Sequence, residues 1–434
     1  MKILIATDTY YPHVNGAAYF TYRLAHALST AGHQVFVIAP SESFTNTKKV
    51  DKAVVVYGMR SVPIPNYPKF RVSPSPLHTM HSVEKIVKEI SPDIIHLQQH
   101  FLISKTVFAV GKKLNIPMIG TNHFLPENLT GFLSLPKAVK NKIISYGWHQ
   151  FLKVFDELQV VTTPTATAAK FIQDIGLNKN VVPVSNGIDL KRFKPSTQKD
   201  YIRSRYHTDN GKILLFVGRL DKDKRLDLVL QAMPMILQKC NIQLVIAGIG
   251  SQRGKLETQS SKLGIDSHVT FTGFILDKDL PQLYQGADAF IIAGIAELQS
   301  IATMEAMASG LPIIAADSKA LPELVKNGKN GFLFPPDNKK ILALSVISLF
   351  TNEKLRLQMA RASLKRIKYH DINKTIYKYE NLYRKLVAQN PKNTRQTTPL
   401  VEKRENYFVH VLIALIFFAA AILSIFLFKK LLIK

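Results

Sequence analysis

The 434-residue chain has room for two or three domains, and its 46% apolar content places it among folded proteins. Lysine and arginine number 57 against 31 acidic residues, a net charge of +26 that favours anionic partners: nucleic acid, anionic lipid or phosphorylated small molecules. A single cysteine, Cys240, excludes an intrachain disulfide and disfavours a cysteine-based metal site.

In chain order, the apolar run of MKILIATDTYYP is too short for a signal peptide and reads as a first strand. The runs QVFVIAP, AVVVYGM, IIHLQ, PMIGTNH and ELQVVTT follow, each rich in β-branched residues and bounded by glycine, proline or polar residues. Helical patterns at Ala17–Thr30 and Leu77–Glu89 lie between them. Buried runs alternating with helices imply a parallel sheet covered on both faces, so residues 1–190 read as one doubly wound α/β domain. Within it, Leu133 to Asp156 is amphipathic. Leu135, Val139, Ile143, Trp148, Leu152 and Phe155 form one side, and Lys137, Lys140, Lys142 and Lys153 supply charge. Such a helix either lies in a lipid headgroup layer or packs its apolar face on the sheet.

Residues 190–210 are polar, punctuated by Pro195, and read as a linker. The pattern then restarts with KILLFVGRL, IQLVIAGIG, HVTFTGFI, AFIIAG, PIIAAD and GFLFP, followed by helical segments. Residues 191–389 are therefore a second doubly wound domain, and two such domains in series place a ligand cleft between them. Neither carries a full G-x-G-x-x-G fingerprint; Gly248-Ile249-Gly250 supplies only two glycines, which disfavours a dehydrogenase. Residues 390–406 form a polar linker. Tyr407–Phe428, about 22 residues with His410 as the one ionisable group, is long enough to span a hydrocarbon core of about 30 Å. Residues 429–434 are a basic tail. Basic residues flank the span on both sides and do not orient it, whereas the missing signal peptide points to a single-pass tail anchor with a cytoplasmic body.

Glu297 and Glu305 enclose seven residues in AELQSIATMEAMASGLP. Ser300 fits an N-cap, Gly310 a C-cap, and Pro312 stands where a helix stops. Ile301, Met304, Ala308 and Leu311 recur at helical spacing and face inward. The amides of such a helix start can hold a diphosphate, and the carboxylates can accept hydrogen bonds from sugar or ribose hydroxyls. The alternative is a solvated surface helix with two unrelated glutamates.

Taken in order, YPHVNGAAYFTYRLAHALSTAGHQVFVIAP, VVPVSNGIDLKRFKP, VGRLDKDKRLDLVLQAM, IAGIGSQRGKLE, VTFTGFILDKDLPQLYQGADAFIIAG and AELQSIATMEAMASGLPIIAAD resemble the retaining glycosyltransferases of the GT-B fold. These form the large family marked by Glu, seven residues, Glu. The resemblance covers nearly all of residues 1–385 and implies an acceptor-side Rossmann-like domain followed by a nucleotide-sugar donor domain. It implies that Arg219 and Lys224 bind the donor diphosphate, in place of a metal ion, and that no cofactor is needed. Gly16 would let backbone amides approach phosphate, and the Ser300 and Ile301 amides would meet it at the helix start. Glu305 would hold the ribose and Glu297 the transferred sugar. His123, in its neutral form, would help stabilise positive charge at the anomeric carbon. The competing readings are a solvated charge cluster around Arg219 and Lys224, a turn glycine at Gly16, and a structural histidine at His123. This chain departs from the family at Gln299-Ser300, where Phe-Gly is frequent, at Arg225, where glycine is frequent, and at Asn15, where a second glycine often stands.

Membrane-bound members of the family commonly glycosylate lipids. The expected reaction is hexose transfer from a nucleotide-sugar to a diacylglycerol- or phosphatidylinositol-type lipid, at an anionic membrane surface contacted by Lys137, Lys140, Lys142 and Trp148. A soluble or polymeric glycan acceptor, or a membrane-anchored binding protein without catalysis, are the alternatives. Nucleic acid is set aside.

Overall fold

A computed structural model describes residues 1–12, 15–64, 67–125, 136–197, 200–206, 208 and 211–390. The expected membrane span at 407–428, the linker beyond Asn390 and the basic tail lie outside these residues. Among the described residues no helix is long and apolar enough to cross a membrane. Two compact units divide the chain. Residues 1–120, 136–159 and 382–390 belong to one, and residues 121–125 and 160–381 to the other. The spatial division thus differs from a cut at residue 190: the stretch 160–190 groups with the second unit and the end of the last helix with the first.

The N-terminal strands are β1 (Lys2–Ala6), β2 (Gln34–Pro40), β3 (Thr47–Asp51), β4 (Val54–Met59), β5 (Val62–Ile64), β6 (Tyr67–Val72), β7 (Ile94–Leu97), β8 (Met118–Thr121), β9 (Val160–Thr163) and β10 (Val181–Pro183). Eight of them form a sheet in the order β10-β9-β8-β7-β1-β2-β4-β3, and β5 and β6 form a separate hairpin. The parallel pairing of β1 with β2 and β7 explains why Ile3, Leu4, Ile5 and Ala6 are all fully buried: both faces of the sheet are covered. The helices Gly16–Thr30 and Pro76–Ile90 form where periodicity placed them, capped by the side chains of Asn15 and Ser75. β3 and the hairpin carry no sequence signal of the buried kind. β3 is an antiparallel edge strand whose Lys48, Lys49 and Val50 face solvent, and edge charge of this sort discourages pairing with a second chain.

The amphipathic segment forms the helix Lys137–Phe155. Trp148 does not lie on its lipid-available side. It is buried, with its ring edge-on to Phe151 at 5.6 Å, and Phe151 in turn stacks on Phe155 at 4.2 Å. The C-terminal half of the apolar face therefore packs inward, while Val139 in the first turn stays 41% exposed, and the docking role expected of Trp148 is corrected. Lys137 and Lys142 remain exposed and Lys140 is half-buried.

In the second unit β11 (Lys212–Val217), β12 (Ile242–Ala247), β13 (Val269–Gly273), β14 (Ala289–Ile292), β15 (Ile313–Ala316) and β16 (Gly331–Phe334) form an all-parallel sheet ordered β13-β12-β11-β14-β15-β16. The chain winds outward from β11 to one edge, then returns to β14 on its other side. The connections leaving β11 and β14 therefore diverge at a topological switch point, where loops at the carboxyl ends of two central strands come together. Helices Lys339–Thr351, Glu353–Ile367 and Ile372–Gln389 follow the last strand.

Candidate active site

The loop leaving β11 is held by main-chain contacts. Gly218 N–H donates to Ala247 O at 3.0 Å, Leu220 N–H to Ile249 O at 3.0 Å, and Gln252 N–H to Leu220 O at 2.8 Å. Gly248 has φ +146°, and a Cβ there would stand 1.8 Å from Gly218 O. A Cβ at Gly250 would stand 2.5 Å from the Leu220 backbone. Gly248-Ile249-Gly250 is thus no fragment of a dinucleotide motif. Its two glycines let one backbone lie directly against another, and so fix the loop that carries Arg219.

Arg219 ion-pairs with the buried Asp221, whose Oδ1 accepts from Ser251 N–H at 3.2 Å and Ser251 Oγ at 3.0 Å. Lys224 Nζ lies 2.7 Å from Glu297 Oε1 and 2.9 Å from Asp223 Oδ2, with only 13% of its side chain exposed. This junction joins the two switch-point loops, and Ile295 N–H donates to Asp223 O at 3.1 Å beside it. Burial, the largest single influence on Lys224, favours its neutral form. The Glu297 and Asp223 carboxylates together outweigh that and hold its pKa above the usual lysine value. A solvated charge cluster does not describe this arrangement: Lys224 and Asp221 are enclosed. Arg225, standing where glycine is frequent, has φ +51° and joins the Lys222–Lys224 turn to the helix Leu226–Leu237. Its guanidinium reaches Asp337 at 2.8 Å. Glycine suits that position because the left-handed region costs an L-residue about 1–2 kcal/mol.

Glu297 leads into the helix Ile301–Ala308. Ser300 caps it, its Oγ accepting from Thr303 N–H at 3.2 Å and Thr303 Oγ1 at 2.8 Å. At the far end Leu311 N–H donates to Ala306 O and Gly310 N–H to Met307 O, a Schellman closure with Gly310 at φ +80° one residue past the Ser309 cap. Thr303 to Ala308 are all buried and Ile301 is half-buried, so the helix is enclosed on every face and not amphipathic. Glu305 is 4% exposed and accepts from Tyr284 OH at 2.9 Å. Gln299 reaches back to Ser185 and Asn186, and Thr165 Oγ1 donates to Leu298 O at 2.9 Å.

The structure therefore brings Lys224 and Glu297 together and places Ser300, Ile301 and Glu305 on the following helix. Gly16 is the exposed first residue of the helix Gly16–Thr30 and belongs to the other unit. It has no left-handed φ, so the freedom expected of Asn15-Gly16 is not used there. His123 follows β8, and burial pushes its imidazole down to about 3, which leaves it neutral at pH 7. The sequence alone does not single out Asp221, Asp223 or Tyr284 as parts of the site, and it gives Gln299 only as a departure from the family pattern. Alternation of acidic with basic residues in RLDKDK was the available signal for the first two. Among the described residues no group of three His, Cys, Asp or Glu side chains is arranged to hold a metal ion.

Two family descriptions match the chain: Glycosyltransferase Family 4 over residues 14–192 and Glycosyl transferases group 1 over residues 198–366. The alpha-monoglucosyldiacylglycerol synthase of Streptococcus pneumoniae is 30% identical over 345 residues, covering 77% of this chain and 75% of that protein. The chain is a group 1, family 4-like glycosyltransferase. A further relative of this glycosyltransferase is the phosphatidyl-myo-inositol mannosyltransferase of Mycobacterium leprae, 27% identical over 357 residues, covering 80% of this chain and 87% of that protein. Sucrose-phosphate synthase from Thermosynechococcus elongatus shares its GT-B fold with a TM-score of 0.75 at 17% identity, covering 90% of this chain and 100% of that one. So does Anabaena HepE in complex with UDP-glucose, with a TM-score of 0.69 at 18% identity, covering 89% and 100%.

Proposed function

We propose that this glycosyltransferase moves a hexose from a nucleotide-sugar to a membrane lipid of diacylglycerol or phosphatidylinositol type, with retention at the anomeric carbon and without a metal ion. The observation that carries the donor half is the enclosed Lys224–Glu297 pair at 2.7 Å, set beside Arg219 in the loops of the switch point. When the sugar C1–O bond to the diphosphate breaks, negative charge develops on the leaving oxygen, and Arg219 and Lys224 supply fixed positive charge to meet it. The acceptor oxygen bonds to C1 from the face the diphosphate leaves, and its proton passes to a phosphate oxygen. Glu305, oriented by Tyr284, takes the ribose hydroxyls, and Glu297 takes a hydroxyl of the transferred sugar. His123, neutral at pH 7, contributes a hydrogen bond and no competing charge.

Support for a lipid acceptor comes from the diacylglycerol- and phosphatidylinositol-glycosylating relatives, the apolar stretch 407–428 and the exposed Lys137 and Lys142. The full chain, in detergent or on vesicles, is assayed for nucleotide release from UDP-, GDP- and ADP-hexoses with a panel of lipids. Transfer to a vesicle lipid is the expected result. Activity on soluble sugars alone, unaffected by vesicles, would overturn the lipid assignment. Full retention of activity in Glu305→Ala would overturn the donor site.

A further inference from the structure

Gln299 stands where the family frequently has phenylalanine, and the proposed reaction leaves its side chain unused. Its Oε1 accepts from the Asn186 backbone N–H at 2.8 Å and from Ser185 Oγ at 3.3 Å. A backbone N–H only donates, so the amide oxygen faces Asn186 and the amide nitrogen faces away from it. That Nε2 is buried and meets no hydrogen-bond partner among the described residues, and the same holds for Asn186 Oδ1. Both residues are more than nine-tenths buried, at 7% and 6% exposure. Folded chains rarely leave buried polar atoms unmatched, because each forfeits its hydrogen bonds to water.

One unmatched donor and one unmatched acceptor therefore belong to two residues already tied to each other. The tie sits two residues beyond Glu297 and directly before the Ser300 cap. A hydroxyl both gives and takes a hydrogen bond and fits such a pair. A phosphate oxygen only accepts and would leave Asn186 Oδ1 unmatched. The geometry points to Gln299 and Asn186 as a specificity pair that holds one hydroxyl of the donor's transferred sugar, with Gln299 Nε2 donating and Asn186 Oδ1 accepting. This deepens the proposed donor site and rests on that reading.

The test couples residue to hydroxyl. Calorimetry of the full chain in detergent measures binding of UDP-glucose, or of the GDP- or ADP-hexose that binds in its place, and of that donor's monodeoxy analogues. In the wild type, one monodeoxy analogue is expected to bind about tenfold more weakly than its parent. In Gln299→Met the parent and that analogue should bind within twofold of each other. Gln299→Glu keeps the acceptor toward Asn186 while removing the NH2 group, and serves if the methionine variant unfolds. It should abolish the same discrimination. If variant and wild type discriminate every analogue equally, Gln299 is a structural tie alone and the pair is overturned while the donor site stands. If the wild type binds none of the nucleotide-sugars, the donor reading fails and the pair fails with it.

Discussion

Replacing Lys224 by methionine separates the two roles of the buried charge junction. The ammonium lies 2.7 Å from one carboxylate and 2.9 Å from another, with 13% of its side chain exposed. Its removal leaves Glu297 and Asp223 facing each other without a cation between them. Breaking a buried pair in this way costs roughly 3–5 kcal/mol. At about 3 kcal/mol the unfolding midpoint of a unit this size falls by roughly 6–12 °C. Adding Glu297→Gln removes one of the two stranded charges and should restore part of the lost stability, the Asp223 carboxylate remaining without its cation. Transferase activity should follow a different course. Lys224→Met is expected to lower turnover by roughly 100- to 1,000-fold, the scale of losing one preorganised transition-state partner, and the double variant should recover none of it. Thermal unfolding and nucleotide release, measured on the same preparations, read the two effects. A midpoint for Lys224→Met within 2 °C of wild type would show that the junction carries little electrostatic strain when broken. Activity that returns together with stability in the double variant would refute a direct role for Lys224 in the reaction.

Three further predictions follow from the same geometry. Gly248→Ala places a Cβ 1.8 Å from Gly218 O at a φ of +146° and should cost about 3 kcal/mol or more, with loss of donor binding as the Arg219 loop moves; a variant of normal midpoint and affinity would show that the contact relaxes easily. Arg225→Gly trades an exposed ion pair for release from the left-handed region, so the unfolding free energy should stay within about 1 kcal/mol of wild type; a loss above about 2 kcal/mol would make the Arg225 side chain a member of the buried cluster. Burial pushes the imidazoles of His100 and His123 down to about 3 and that of His370 to about 4, against about 6.5 in an unfolded chain. The unfolded state therefore binds more protons as pH falls from about 6.5, and stability declines from there down to about pH 3–4. At pH 5 one such histidine costs about 2 kcal/mol. Urea midpoints at pH 7 and pH 5 check this, and His100→Gln should flatten the decline.

The architecture was largely legible because buried parallel strands announce themselves. KILLFVGRL and IQLVIAGIG became β11 and β12 with little adjustment. β3 escaped because an edge strand needs only main-chain pairing on one side, and its lysines face water. At the site, the Glu297–Glu305 segment and the Ser300 cap were readable as local patterns. The partner of Lys224 was not, since residues 224 and 297 meet only through the strand order at β11 and β14. Trp148 misled for a physical reason. A helix with apolar and basic sides has the same sequence period whether its apolar side meets lipid or its own sheet. Only the burial of Trp148, Phe151 and Phe155, and the packing of His100 against Phe151, decide between them.

The glycines at 248 and 250 have a consequence for how this enzyme can change. The path of the Arg219 loop is set by carbonyl and amide atoms of neighbouring backbone, which every sequence possesses. Exposed side chains around that loop can be exchanged without rebuilding it, so long as both glycines stay in place. A library that leaves both glycines, Arg219, Asp221, Lys224, Glu297 and Ser300 untouched and varies Lys222, Arg225, Leu298 and Gln299 should yield folded proteins, among them ones with shifted donor preference. One that recombines the β12–β13 connection should yield mostly aggregates.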